Sequence, residues 1–300
     1  MGIETDPRRR IVVGVDGSRA SRHAVLWAAR EARLRRCELI IAYVVPTAGG
    51  RTIEGTGGQA AGTTTEVLES NAAAASRRVP EIVIGTLLLH GSVSDRLVEL
   101  SQQSVLIVVG VDITVPRSAH GVLGPVEDRV VTQARCPVVT VNGPVRDTVG
   151  ETPVVAVGWV DSPSGRRALR VAVEEAAARG ASLTVVSAGA TPGGDGGPAG
   201  GTRTGRSLQD SLAGFADAHP DVPVDVVHAR AQPAEALVRH SVGADLLVIG
   251  SHHSGNRFSI RTGPVVEQVI RRATCPVMLV GRLANHVSNG RNPAAENWVG

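Results

Sequence analysis

The chain repeats itself once, and this limits its fold more than any other feature. The segment Gly124-Pro-Val-Glu-Asp-Arg-Val-Val-Thr-Gln-Ala-Arg-Cys136-Pro-Val-Val-Thr-Val141 aligns without a gap on Gly263-Pro-Val-Val-Glu-Gln-Val-Ile-Arg-Arg-Ala-Thr-Cys275-Pro-Val-Met-Leu-Val280. Upstream, Val105-Leu-Ile-Val-Val-Gly110 matches Asp245-Leu-Leu-Val-Ile-Gly250, and Ile11-Val-Val-Gly-Val-Asp-Gly-Ser18 matches Val155-Ala-Val-Gly-Trp-Val-Asp-Ser162. The order of the matches is kept, so the 300 residues divide into two similar domains, 8–142 and 154–282. Between them lies a polar linker, 143–153, and after them an Asn-rich tail, 283–300, expected to be loose.

Each copy opens with a β-branched run ending near Gly and Ser, followed by apolar residues at helical spacing, such as Ala20, Ala24, Trp27 and Ala28. Ser18 and Ser162 stand where a hydroxyl caps a helix N-terminus. Further strands are expected at Leu39–Val45, Glu81–Leu89 and Val138–Val141 in the first copy, and at Leu183–Ala188, Val222–Ala229 and Val277–Val280 in the second. The apolar runs 105–110 and 245–250 give one more strand each, with helices around Ser94–Ser101 and Ala234–Ser241. Segments rich in Gly, Thr and Pro, Pro46–Thr65 and Gly189–Arg206, read as long loops. Continuous apolar strands alternating with helices imply a parallel sheet covered on both faces. The fold class is therefore α/β, two Rossmann-like domains of five strands each. The apolar last strands of the two copies are expected to pair about a pseudo-two-fold as an intramolecular pseudo-dimer, with a further homodimer left open.

Composition narrows the chemistry. All 31 basic residues are arginine. A Walker A loop, a kinase ATP-pairing lysine and a Schiff-base lysine are thereby excluded. Three Trp, one Tyr and two Phe give no stacking platform, and the net charge is only +3, so no nucleic-acid partner is expected. No signal peptide or membrane span is read, and no membrane partner follows. Three cysteines, Cys37, Cys136 and Cys275, make no disulfide framework and suit a reducing, cytoplasmic setting. Cys136 and Cys275 read as small buried hydrophobes, and Arg271 and Arg272 as a solvated helix face.

The Val-Gly-Val-Asp16-Gly-Ser18 opening, the strand ending in Gly, the Gly-initiated last helix and the Ala-x-Cys-Pro-Val strand together resemble the universal stress protein family in its tandem bacterial form. The likeness covers residues 8 to 282. It implies an adenine nucleotide alpha hydrolase-like fold and a role in stress response. Nucleotide-binding members carry Gly-x-x-Gly, nine residues, then Gly-Ser or Gly-Thr, a pattern that lets backbone amides close on phosphates. Here both loops are degenerate: Ile113 and His253 replace the second Gly, and Pro125 and Pro264 replace the hydroxyl. The first loop is also one residue longer than the pattern. Asp16 matches the family's carboxylate, whereas the second copy has Val160 there and Asp161 one position later.

The resemblance places nucleotide contacts at Gly14, Val15, Asp16, Gly17, Ser18, Val44, Gly110, Gly124 and Val126 in the first copy. In the second it places them at Gly158, Ala188, Gly250, His252, His253, Gly263 and Val265. It implies ATP as ligand, with Mg2+ only when ATP is bound, and no catalytic residue or resident metal site. Two readings stay open: a regulatory adenine-nucleotide binder, and a nucleotide-free dimerisation or signalling module. The second is favoured by the two prolines, which equally suit the first position of a helix with no ligand. No Ser-His-Asp or Cys-His arrangement and no Gly-x-Gly-x-x-Gly fingerprint marks an enzyme.

Overall fold

The computed structural model describes residues 9–48, 51–52, 63–113, 124–144, 152–188, 198–251 and 263–281. The first repeat runs β1 (Arg10–Val15), α1 (Arg19–Arg35), β2 (Glu38–Ala48), β3 (Arg51–Thr52), α2 (Thr64–Arg78), β4 (Ile84–Gly91), α3 (Val93–Ser101), β5 (Leu106–Gly110), α4 (Pro125–Gln133) and β6 (Val138–Val141). The second runs β7 (Val154–Trp159), α5 (Pro163–Arg179), β8 (Ser182–Ala188), α6 (Pro198–Ala216), β9 (Val224–Ala229), α7 (Pro233–His240), β10 (Leu246–Gly250), α8 (Pro264–Arg272) and β11 (Val277–Val280). Within each repeat the five main strands are parallel, in the order β4-β2-β1-β5-β6 and its counterpart β9-β8-β7-β10-β11. No helix among the described residues is long and apolar enough to cross a membrane.

The central strands form because their side chains are apolar on both faces and each face is covered, whereas the outer strands β4 and β9 are partly exposed. Ile11, Val13, Leu39, Ile41 and Val108 pack under α1 and α2, while Val12, Ile107, Val109 and Val138 face α3 and α4. The cysteines lie in these cores, and all three are free and buried. Burial pushes the Cys136 thiol up to about 12 and Cys275 to about 11, which makes them packing groups rather than nucleophiles. Ser18 caps α1 through the amide of Ser21, and Ser162 caps α5 through Gly165, as their positions suggest.

Two long-loop expectations are corrected. Strand β2 continues through Pro46 to Ala48 and meets β3 antiparallel. The β1 ladder ends at Val15–Tyr43, so Pro46 falls where β2 has become an edge on that side and a missing N–H is tolerated. Helix α6 begins at Pro198, inside the segment read as loop. Proline suits a first turn, and Leu208, Leu212 and Phe215 anchor the helix to the core further along.

The two sheets join into one. Strands β6 and β11 pair antiparallel in a register centred on Val139–Met278, which are equivalent positions of the repeat. Above this seam α1 and α5 meet through a quartet of charges, also at equivalent positions: Glu31 and Arg35, Glu175 and Arg179. Arg35 Nη2 is 2.6 Å from Glu175 Oε1 and Arg179 Nη2 is 2.6 Å from Glu31 Oε1, while each Glu also pairs with the Arg one turn along its own helix. All four side chains are at least 86% buried. Asn142 adds a third tie, donating to the carbonyls of Ile270 and Ala273 at the end of α8.

Burial alone would raise the Glu175 carboxyl, but Arg35 and Arg179 outweigh it and hold it below the usual carboxylate value. Its contribution is therefore present above the unfolded value, about 4.3, and is lost as pH falls through the folded one. Glu174 behaves oppositely: burial pushes it up to about 7, so ionising it costs stability as pH rises toward that value. We expect Glu175→Gln to lower unfolding free energy at neutral pH by about 3–5 kcal/mol, because it leaves buried guanidinium groups short of a partner. Its urea midpoint should vary less than wild type on the acid side, whereas Glu174→Gln should gain relative to wild type as pH rises from about 4.3 to about 7 and hold that gain above it.

A second close approach fixes the start of α1. A Cβ on Gly110 would stand 2.3 Å from the carbonyl carbon of Ala20 and 2.5 Å from the amide of Ser21, and one on Gly250 2.7 Å from the Ser164 carbonyl oxygen. Gly110→Ala is expected to cost about 3 kcal/mol in chemical denaturation. Gly214→Ala, with open space around it in α6, should be neutral or stabilising by about 0.5–1 kcal/mol.

Candidate functional site

The chain leaves β1 toward β2 and β4 on one side, then returns to place β5 and β6 on the other. The crevice at the carboxyl ends of β1 and β5 is therefore a topological switch point, where open α/β sheets take their ligands. The second repeat has the same point between β7 and β10. Because β6 and β11 are antiparallel, the two crevices open on opposite edges of the joined sheet.

Most of the residues singled out in the first repeat converge on this edge. Gly14 and Val15 end β1, and Asp16, Gly17 and Ser18 form the turn into α1. Val44 lies one residue beyond the last β2 position paired with β1. Gly110 ends β5, and Gly124 and Val126 open α4. In the second repeat Gly158, Ala188 and Gly250 lie on β7, β8 and β10, while Gly263 and Val265 open α8. Ala188 is likewise one residue past the last pair with β7. His252 and His253 lie outside the described residues. Ile113 is described and exposed.

The first turn is shaped by Gly17, whose φ of 81° is the left-handed region that glycine enters freely. It lets Asp16 Oδ1 accept the Ser18 amide at 2.9 Å while Asp16 stays exposed. In the second repeat Val160 occupies the equivalent place and is 46% exposed. Asp161 instead pairs with Arg166, and its Oδ1 accepts Ser207 Oγ at 2.9 Å. Sequence reasoning gave the displacement of this carboxylate but not its partners, because Ser207 arrives from α6 only in the folded chain.

The electrostatics of the helix starts separate α1 and α5 from most other helices. Helices α2, α3, α4, α7 and α8 carry acidic residues in the first turn, as the helix dipole favours. Helices α1 and α5 carry none there, and Arg19, Arg22, Arg166 and Arg167 lie near their starts. Partial burial, then the charges of Arg19 and Arg22, hold His23 below its ordinary value, a sign of the same positive field. At α4 and α8 the N-caps Gly124 and Gly263 offer no side-chain cap, and Pro125 and Pro264 remove the first amide. The amides of the next residues, Val126 and Val265, have no acceptor within the helix turn before them. Gly110 and Gly250, read from sequence as glycines that let backbone approach phosphate, are also needed for the contact of strand end with helix start.

Under the crevices the two repeats exchange volume. Val15 pairs with Tyr43 in the first, Trp159 with Ser187 in the second, so large and small residues swap strands. The signal was present in the aligned sequences but becomes meaningful only once β1–β2 and β7–β8 are known neighbours. Among the described residues, no group of three or more His, Cys, Asp or Glu is placed to hold a metal ion.

Comparison with known proteins agrees with this architecture. The family model described as "Universal stress protein family" matches residues 7–142 and again 153–281. A universal stress protein of Mycobacterium tuberculosis (strain ATCC 25618 / H37Rv) is 32% identical over 298 residues, covering 91% of this chain and 98% of that protein. One from Mycolicibacterium smegmatis is 32% identical over 291 residues, covering 90% and 96%. Among solved structures, a universal stress protein from Archaeoglobus fulgidus DSM 4304 shares the fold at a TM-score of 0.68 and 20% identity, covering 92% of this chain and 97% of that one. With both repeats matched, and relatives alike along nearly their whole length, the chain belongs to the universal stress protein family.

Proposed function

We propose that this chain is a cytoplasmic stress-response regulator that binds an adenine nucleotide, ATP, in at least one of its two degenerate clefts, and that it is not a dedicated catalyst. The observation that carries this reading is the reversed charge at the start of α1, where Arg19 and Arg22 lie with no acidic residue in the first turn, whereas at α5 Arg166 already pairs with Asp161. Basic residues near a helix N-terminus oppose the dipole and cost stability, and an anionic ligand at the switch point would offset that cost.

The residues present fit such a ligand in part. Asp16, exposed at the end of β1, suits a ribose hydroxyl or a magnesium-bound water. The peptide groups at Val44 and Ala188, just past the paired ladder, suit an adenine edge. Amides at the starts of α4 and α8 suit phosphate oxygens. Mg2+ would accompany ATP and neutralise its phosphates. With no nucleophile–base pair brought to the crevice among the described residues, any hydrolysis would be incidental. The seam between β6 and β11 would make the chain its own pseudo-dimer, from which a homodimer could be built.

A second reading, a nucleotide-free dimerisation or signalling module, is favoured by Pro125 and Pro264, which complete α4 and α8 without any ligand. Equilibrium dialysis of the intact chain against ATP and Mg2+ separates the two. The nucleotide reading expects saturable binding below about 1 mM that weakens at least about tenfold in Asp16→Ala, with no turnover above background. No binding at about 1 mM leaves the second reading standing.

A further inference from the structure

Resting on the nucleotide reading above, we propose that the two clefts are unequal, and that the chain holds a single Asp16-dependent nucleotide, in its first repeat. The second repeat has spent its carboxylate on itself. Asp161 Oδ1 accepts both the Arg166 guanidinium and Ser207 Oγ, and Arg166 Nη1 lies 3.4 Å from the same hydroxyl, so the three groups tie α5 to α6. The first repeat has no counterpart of this tie. Gly17 replaces Asp161 in the alignment, and Val67, buried and apolar, replaces Ser207.

The backbone has closed as well. In the second repeat the Ser162 amide donates to the Val160 carbonyl at 2.8 Å, a tight three-residue turn. That carbonyl oxygen sits 2.0 Å from where a Cβ on Gly165 would be, so the turn is folded down onto the first turn of α5. The equivalent residue in the first repeat is Ser21, which carries a Cβ and bonds the Ser18 carbonyl through its hydroxyl. The first turn therefore stands further from its helix than the second. A ribose hydroxyl or metal-bound water meets an exposed carboxylate in the first cleft, but in the second an exposed isopropyl group and a carboxylate already bonded to a cation.

One observation pulls the other way, since Gly250 to Gly263 keeps the family's phosphate-loop spacing better than Gly110 to Gly124 does. Pro125 and Pro264 each remove the first amide of their helix, so at α4 and α8 the two clefts are alike, and the inequality rests on the turns after β1 and β7. Titration calorimetry of the intact chain with ATP and Mg2+ decides the matter. The expected result is one nucleotide per chain, affinity lowered about tenfold or more in Asp16→Ala, and a change under about twofold in Asp161→Asn. The isosteric Asp16→Asn serves if the alanine variant does not fold. Two nucleotides per chain, or a tenfold loss in Asp161→Asn, overturns the inequality and leaves nucleotide binding intact. No binding at all overturns both.

Discussion

The seam between the repeats is the constraint on which the rest of the structure depends. Strands β6 and β11 are short, apolar and buried on both faces, so neither could stand as an open edge without inviting association. Pairing them antiparallel about Val139 and Met278 closes both edges at once. The price is a buried helix–helix contact above the seam, met by four charges that satisfy one another. A hydrophobic quartet of similar volume could be as stable, because desolvating charges offsets much of their attraction. What the charges add is directionality: each Arg bridges both Glu groups, so α1 and α5 have one register that satisfies all four.

This join also determines how two similar domains come to differ. Antiparallel pairing sends the two switch points to opposite ends of the strands, and the described residues named for each cleft come from its own repeat. Each is free to change alone. The first has Asp16 and Gly17 where the second has Val160 and Asp161, and in the second Arg166 and Ser207 bond Asp161 in the turn. The strand pair beneath differs too, with Trp159 beside Ser187 where the first repeat has Val15 beside Tyr43. The seam constrains both repeats equally, which explains why the Cys-Pro-Val strands resemble one another more closely than the turns after β1 and β7 do.

The sheet was legible because its central strands, such as β5 and β10, are nearly unbroken apolar runs ending in Gly, and helices such as α1 because their apolar spacing is regular. Pairing of the last strands could be inferred from their lack of any polar face. The charge quartet could not, since Glu31 with Arg35 and Glu175 with Arg179 each read as an ordinary solvated pair one turn apart. The available signal was their recurrence at equivalent positions, an identity that a solvated face has no reason to keep. The start of α6 was missed because Gly, Thr and Pro dominate residues 198–205 locally, while its anchors, Leu208, Leu212 and Phe215, act from further along. Of the candidate site, the turn residues and strand ends were legible from motif position. The partners of Asp161 were not, because an Arg one turn into α5 and a Ser on another helix are linked only by tertiary packing.

Amide hydrogen exchange of the intact chain tests the seam most directly. If β6 and β11 are paired in the middle of one sheet, the amides of Val138–Val141 and Val277–Val280 that are bonded in the ladder should be protected to the level of β1 and β7. Exchange of those amides at the faster rate of the outer strands β4 and β9 would contradict it, and would mean that the two repeats fold as separate sheets.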